Sequence, residues 1–295
     1  MKTLRVTGVP EHFNYPFRLL FERQPFLDQG LRIEWKEESR GSGQMNLDLR
    51  TGDTAIAILL TESFLKDFEG GNPSKMIGFH VTSPLIWGIH VGADSDIHSL
   101  SDLREKKILV SRMGSGSHLM AMVLAKRESW NPGELIYDLV GNMEGAEKAM
   151  KEGSQGIFLW EKFTTAPMVE KGSMRRIGEI PSPWPCFVMV ATSKALEEFG
   201  TIIFQVRDWI YSLIQDFGDP SQLANSIAQN YGLPFSDITT WLSQTQWCTE
   251  AVVYRDELER VMATMVDLKL LSRILDLDDF LALDGLVVKS GRGTG

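Results

Sequence analysis

Cysteine is scarce. Cys186 and Cys248, far apart in the chain, are its two, too few for a disulfide framework or a Cys-rich metal site. The five histidines, His12, His80, His90, His98 and His118, have no His-x-x-x-His spacing, so no metal is expected. No apolar run reaches the roughly 18 residues of a membrane span, and no membrane insertion is expected. An excess of positive charge is also missing: 30 Lys+Arg face 39 Asp+Glu, a net −9. A chain of that sign makes nucleic acid an unfavourable partner, although a local basic site stays open. Walker A and nucleophile-elbow patterns do not occur, nor does a solenoid-period repeat. Gly41-Ser42-Gly43 lacks the third glycine and the distal acid of a dinucleotide fingerprint. No cofactor is implied.

What is present is ordinary globular material: 295 residues, 43% hydrophobic and 23% charged. That length suits two lobes at roughly 100–200 residues per domain. The start, Met1-Lys2-Thr3-Leu4-Arg5-Val6, runs directly into strand-like sequence without the charged and apolar regions of a secretory signal. With Met1 in place, thirteen methionines and two cysteines, a cytoplasmic location is the expectation.

Along the first two thirds, strand and helix signals alternate. Residues 4–9 alternate and stop at Pro10, a strand reading. Phe17, Leu20 and Phe21 recur at helical spacing within 16–26. Residues 31–37 alternate, 42–49 read as a helix, and 54–60 form the short apolar run of a strand buried on both faces. Strand-like runs 76–82 and 85–91 are divided by Ser83-Pro84. Further strands are predicted at 107–110, 135–140, 156–160, 174–180 and 187–191, with helices from Gly116 and over 143–151. Ser182-Pro183-Trp184-Pro185 is a second break. Beyond Ser193 the pattern is helical over 194–217, 220–231, 234–241 and 256–271, with Asp219 and Ser236 as caps. The glycine-rich tail from Lys289 is expected to fray.

This alternation predicts an α/β fold with mostly parallel sheets. The two breaks predict two lobes crossed by two strands, lobe one from 1–84 plus 186–295 and lobe two from 85–185. Such a fold places a ligand in the cleft between lobes, at strand C-termini and helix N-termini.

The most informative segment is Ser111-Arg112-Met113-Gly114-Ser115-Gly116-Ser117-His118, between a strand and a helix. Free N–H groups and the positive helix end face such a loop. Ser115, Gly116 and Ser117 suit close approach of a carboxylate, sulfonate or phosphate, and Arg112 adds a bidentate clamp. A plain helix cap is the alternative reading. Ser39-Arg40-Gly41-Ser42-Gly43 has the same form, which makes Ser39 and Ser42 candidates from the first lobe. His12 and Phe13, after the first strand, are candidates to hydrogen-bond and stack on a flat ligand; a buried turn is the alternative. Thr61-Glu62, Thr82 and Trp160-Glu161 sit at strand ends. A carboxylate there can hold an amine or act as a base. Trp184, between two prolines, is either a hinge wedge or a stacking platform. Cys186, inside an apolar strand, reads as a buried, inert thiol.

Several of these segments together resemble the type II periplasmic-binding-protein fold. They are Pro10-Glu11-His12, Leu60-Thr61-Glu62, Thr82-Ser83-Pro84-Leu85-Ile86-Trp87, the 111–117 loop, Leu159-Trp160-Glu161-Lys162-Phe163-Thr164, Arg176-Ile177-Gly178-Glu179 and Pro183-Trp184-Pro185. Closer still, over about residues 3–195 the chain resembles a cytosolic fungal and bacterial family of that fold that carries a thiamine-biosynthesis label. The resemblance implies a two-lobed binder of a small molecule, with the 111–117 loop facing the cleft. Arg104-Glu105-Lys106 departs from transport-type relatives, which usually have glycine in place of Glu105. A transporter permease would be a partner only if the protein were exported.

Two functions follow as expectations, with the substrate-binding component of an ABC transporter as a third, weaker one. The first is a cytosolic binding protein that closes around a small anionic or heteroaromatic metabolite, thiamine-related or not. The second is an enzyme of thiamine-pyrimidine type. The yeast-type synthase has a cysteine-rich motif that this chain lacks, which leaves His12 with Glu62 or Glu161 as the acid–base set.

Overall fold

The computed structural model describes residues 1–103 and 105–291. Arg104 and residues 292–295 of the glycine-rich tail lie outside the described residues. In chain order the first lobe opens with β1 (Lys2–Gly8), α1 (Tyr15–Arg23), β2 (Leu31–Glu37), α2 (Ser42–Thr51), β3 (Ile56–Leu60), α3 (Thr61–Glu69) and β4 (Lys75–Val81). The chain then forms β5 (Ile86–Gly92), β6 (Lys106–Val110), α4 (Gly116–Arg127), β7 (Leu135–Leu139), α5 (Met143–Lys151), β8 (Ile157–Glu161), α6 (Ala166–Glu170) and β9 (Met174–Pro181). It returns as β10 (Phe187–Ala191), followed by α7 (Ser193–Phe199), α8 (Ile202–Gln215), α9 (Pro220–Tyr231) and α10 (Phe235–Gln244). The end of the chain adds β11 (Val252–Tyr254), α11 (Arg255–Asp267), α12 (Leu277–Phe280) and β12 (Val287–Lys289).

Two five-stranded sheets have the same topology, β2-β1-β3-β10-β4 and β7-β6-β8-β5-β9. In each, one strand runs against both neighbours: β10 in the first sheet and β5 in the second. These are the strands that enter each sheet directly from a crossing segment. The sheets are therefore mixed where the alternation predicted mostly parallel ones. A strand fed from the hinge arrives from the cleft side, opposite in sense to strands fed by a crossover helix. β3 is buried along its whole length, as its unbroken apolar run predicts.

The two crossings are tied to each other. Leu85 N–H donates to Ser182 Oγ at 3.0 Å, Ser182 N–H to Leu85 O at 2.9 Å, and Cys186 N–H to Ser83 O at 3.1 Å. Pro84 and Pro183 contribute no N–H, so they sit at the positions of this ladder that need no donor. The helical end of the chain braces the first crossing: Thr82 N–H donates to Gln246 O at 2.8 Å and Gln246 N–H to Ser83 Oγ at 3.0 Å.

Two sequence expectations for the helical part need correction. The single helix over 194–217 is two, α7 and α8, because Gly200 takes φ +54° and ends the first. Asp219 does cap α9, accepting from Ser221 N–H, but Ser236 lies inside α10, whose cap position is Pro234.

Candidate functional site

Between the lobes lies a narrow cavity of about 40 Å³, room for a few waters. Its walls are the C-terminal ends of the parallel strands and the starts of the helices that follow. The first lobe gives Glu11 after β1, Arg40, Gly41 and Ser42 at the start of α2, Leu60 at the end of β3, and Phe187. The second gives Leu85 and Trp87 around the start of β5, the 111–117 loop, and Trp160 and Glu161 at the end of β8.

The 111–117 loop is shaped by its own hydrogen bonds. Ser115 caps α4 by accepting from His118 N–H, and its hydroxyl donates to Arg112 O at 2.7 Å. Ser117 Oγ accepts from Ser111 N–H at 3.1 Å. The capping reading therefore holds for the hydroxyls, which also line the cavity. The N–H groups of Gly116 and Ser117, in the first turn of α4, cannot be satisfied within the helix. Gly116 is required by space: a Cβ there would lie 2.3 Å from Leu60 Cδ1 of the other lobe and 3.0 Å from Trp87 Cη2.

Arg112 spans the cleft. Its Nη1 donates to Arg40 O at 2.8 Å, and its guanidinium lies over Gly43 of α2, where a Cβ would come within 2.5 Å of Nη2. That Nη2 is buried and has no hydrogen-bond partner. Burial and the neighbouring Arg40 charge lower the Arg112 pKa, against the pull of Glu38. The Arg40 guanidinium is engaged elsewhere, in a pair with Glu38 at 2.7 Å. The first turn of α2 adds its own dipole, since Gly41 at φ +78° precedes it without a side-chain cap. Ser42 Oγ accepts from Leu60 N–H at 3.0 Å and fixes this loop to β3. One unpaired buried guanidinium nitrogen beside two helix starts is chemistry suited to an anion.

The cavity also has acidic lining. Glu11 and Glu161 come from opposite lobes and are 8% and 3% exposed. Burial, then the Glu161 charge, pushes Glu11 up to about 8, with the Trp160 hydrogen bond acting against the rise. Burial pushes Glu161 up to about 7, although Phe163 N–H, Thr164 N–H and the Thr164 hydroxyl all donate to its Oε2.

Of the residues selected from sequence, Ser42, Arg112, Ser115, Gly116, Ser117, Trp160 and Glu161 meet at this cavity. His12, Phe13, Ser39, Thr61, Glu62, Thr82 and Trp184 do not. His12 is buried against Trp241, Phe13, Tyr231 and Phe163, and burial lowers its pKa to about 3. It is held neutral behind an aromatic wall, so the proposed acid–base set with Glu62 or Glu161 is not assembled. Phe13 is core, and its carbonyl accepts from His80 and Trp247. Ser39 is exposed beyond the loop that Gly41 turns inward. Thr61 spends its hydroxyl on Pro185 O at 2.6 Å, and Thr82 its own on Gln246 O. Trp184 is the wedge rather than the platform: its Nε1 donates to Glu62 Oε2 at 2.7 Å, both side chains buried.

The sequence reading missed Val9, Glu11, Arg40, Gly41, Leu60, Leu85, Trp87, Ser111 and Phe187. Most are apolar strand-end residues that read as core. Glu11 had a signal, its place directly after the first strand, but the short turn His12–Asn14 decides which side chain faces the cleft. Among the described residues, no group of three or more His, Cys, Asp or Glu is arranged to hold a metal, and no helix is long and apolar enough to cross a membrane. Cys186 is fully buried, its pKa raised well above the usual thiol value by burial and by nearby Glu62.

Comparison with known proteins gives the fold a name. A family model described as Ca3427-like PBP matches residues 87–180. The Candida albicans CA3427 gene product, described as having the generic periplasmic binding protein fold, superposes with a TM-score of 0.82 at 25% identity, covering 99% of this chain and 97% of that one. The alkanesulfonate-binding protein SsuA from Xanthomonas axonopodis pv. citri, bound to MOPS, gives 0.72 at 14% identity over 98% and 99%. The periplasmic nitrate-binding protein NrtA from Synechocystis PCC 6803 gives 0.63 at 13% over 81% and 69%. The comparison with curated proteins finds no match. The chain has the two-lobed periplasmic-binding-protein fold.

Proposed function

We propose that this protein binds a small anionic metabolite between its lobes, 1–84 plus 186–295 and 85–185, and closes on it by rotation about the two crossings. The observation that carries the reading is Arg112 Nη2, buried at the interlobe cavity with no partner of its own. A guanidinium nitrogen left unpaired in a buried place is costly, and an acidic ligand group would satisfy it. Arg112 also contacts both lobes, so an anion bound there favours the closed arrangement. The fold neighbours described as alkanesulfonate- and nitrate-binding take anions, which agrees with this chemistry.

The test is a thermal-shift screen of small carboxylates, sulfonates and phosphate esters against wild type and Arg112→Ala. At least one acid should raise the melting temperature of wild type by several degrees, as a ligand that binds only the folded state must, and lose that effect in the variant. Stabilisation that survives Arg112→Ala, or none by any acid, removes the reading.

A further inference from the structure

Two buried carboxyl groups line the cavity. Glu11 and Glu161 enter from opposite lobes, and each is more than nine-tenths buried. Glu161 Oε2 is saturated by its three donors, and no hydrogen bond reaches its Oε1. The neighbouring cation, Lys162, is committed to Glu179 at 2.9 Å. Arg112 and Arg40 are held to the start of α2, bonded to Arg40 O and to Glu38. The two lobes therefore bring two carboxyl groups to one cavity with neighbouring Lys162 engaged by Glu179, a costly arrangement in a buried site.

A second, independent feature of the same cavity also asks for a ligand. Trp87, 4% exposed, lines it, and its indole Nε1 is buried without a partner. Trp87 faces Glu161 in the β5–β8 ladder. The orphan indole donor thus neighbours Glu161 across the ladder, in the cavity that Glu11 also lines. Val9, Leu60, Leu85 and Phe187 add apolar lining to the same cavity.

We infer that Glu11 and Glu161 hold a protonated amine of the ligand, while Arg112 and the starts of α2 and α4 hold its acid group. The ligand class is then a compact zwitterion, an amino acid or aminosulfonate with a short apolar spacer. This rests on the anion site proposed above and adds the other end of the molecule. The amine supplies a positive charge and donates to Glu161 Oε1. An oxygen of the ligand accepts from Trp87 Nε1.

Isothermal titration with straight-chain ω-amino sulfonates and ω-amino carboxylates of two to five carbons, each beside the same acid without its amine, tests this. At least one amino acid of the series should bind wild type tenfold or more tighter than its amine-free counterpart. Glu161→Gln should cut that preference below threefold. Because Glu161 also anchors the following turn, Glu11→Gln, which has no such role, should reduce the preference as well. Arg112→Ala should weaken both series alike. Amine-free acids that bind wild type as tightly as their amino partners would overturn the inference and leave the anion site standing. A preference unchanged in both glutamine variants would also overturn it. No binding by either series would overturn this inference, while the wider acid screen above decides the anion reading by itself.

Discussion

The indole Nε1 of Trp184 donates to Glu62 Oε2 at 2.7 Å, joining the second crossing segment to the first turn of α3. Both side chains are buried, and Glu62 Oε1 has no partner. Thr61, one residue earlier, bonds the same segment through Pro185 O. The crossing is thus fastened to the first lobe by two adjacent side chains. Trp184→Phe keeps the ring but deletes the donor and leaves a buried carboxyl unsatisfied. It should lower stability by about 1–3 kcal/mol in urea unfolding. Glu62→Gln retains an acceptor for the indole and should cost less than about 1 kcal/mol. Equal losses in the two variants would show that the hydrogen bond is not the strut.

Gly116 predicts a separation of binding from stability. Alanine there meets Leu60 Cδ1 at 2.3 Å across the cleft, and Leu60 can yield only by entering the cavity or by letting the lobes part. The same change favours the helix it begins. Gly116→Ala should weaken acid binding about tenfold, or about 1.4 kcal/mol, in calorimetry, with the melting temperature of the free protein little changed. Unchanged affinity would mean that this contact does not limit closure.

Gly145 predicts the reverse, stability without binding. A Cβ would lie 1.8 Å from Val140 O, a backbone atom of the turn between β7 and α5. Gly145→Ala should cost roughly 1–3 kcal/mol or more of overpacking strain in the second lobe, read as a lower urea midpoint. A variant as stable as wild type would show that the turn before α5 relaxes freely.

Much of this architecture was legible in the sequence. The period-two runs and the unbroken apolar stretch of β3 placed the strands, and Pro84 and Pro185 marked the crossings because proline cannot continue a ladder. The loop from Ser111 to Ser117 stood out because small residues between strand and helix suit both a helix cap and the close approach of an anion, and here its serines cap and brace the loop while lining the cavity. Facing was not. His12 and Glu11 are neighbours, yet a turn of three residues buries one in an aromatic cluster and puts the other at the cleft. Leu60, Trp87 and Phe187 carry no mark that separates a cleft wall from a core, since both are apolar strand positions. Trp184 offered two uses, and only the placement of Glu62 decides between them.

The buried carboxyls set a pH dependence. Burial raises Glu11 to about 8 and Glu62 and Glu161 to about 7, all from 4.5. Raised folded values mean that the folded protein holds protons the unfolded chain has released. Their contribution is complete below pH 4.5 and is lost as pH rises to about 8. Buried His12 and His80 act with the opposite sign, lowered to about 3 and about 4 from 6.5, so their contribution is present above 6.5 and is lost as pH falls through those values. Above pH 6.5 the carboxyls remain, and the melting temperature should decline toward pH 8. Glu11→Gln should flatten that decline; an unaltered slope would show that Glu11 is ionised throughout.

The account turns on Arg112 as the anion anchor of the cleft, and native mass spectrometry addresses it most directly. Wild type and Arg112→Ala are each incubated with a protein-free cell extract, exchanged into volatile buffer and weighed. The account predicts one small acidic molecule retained by wild type and absent from Arg112→Ala. A molecule retained equally by both forms, or a bare chain in both, would contradict it.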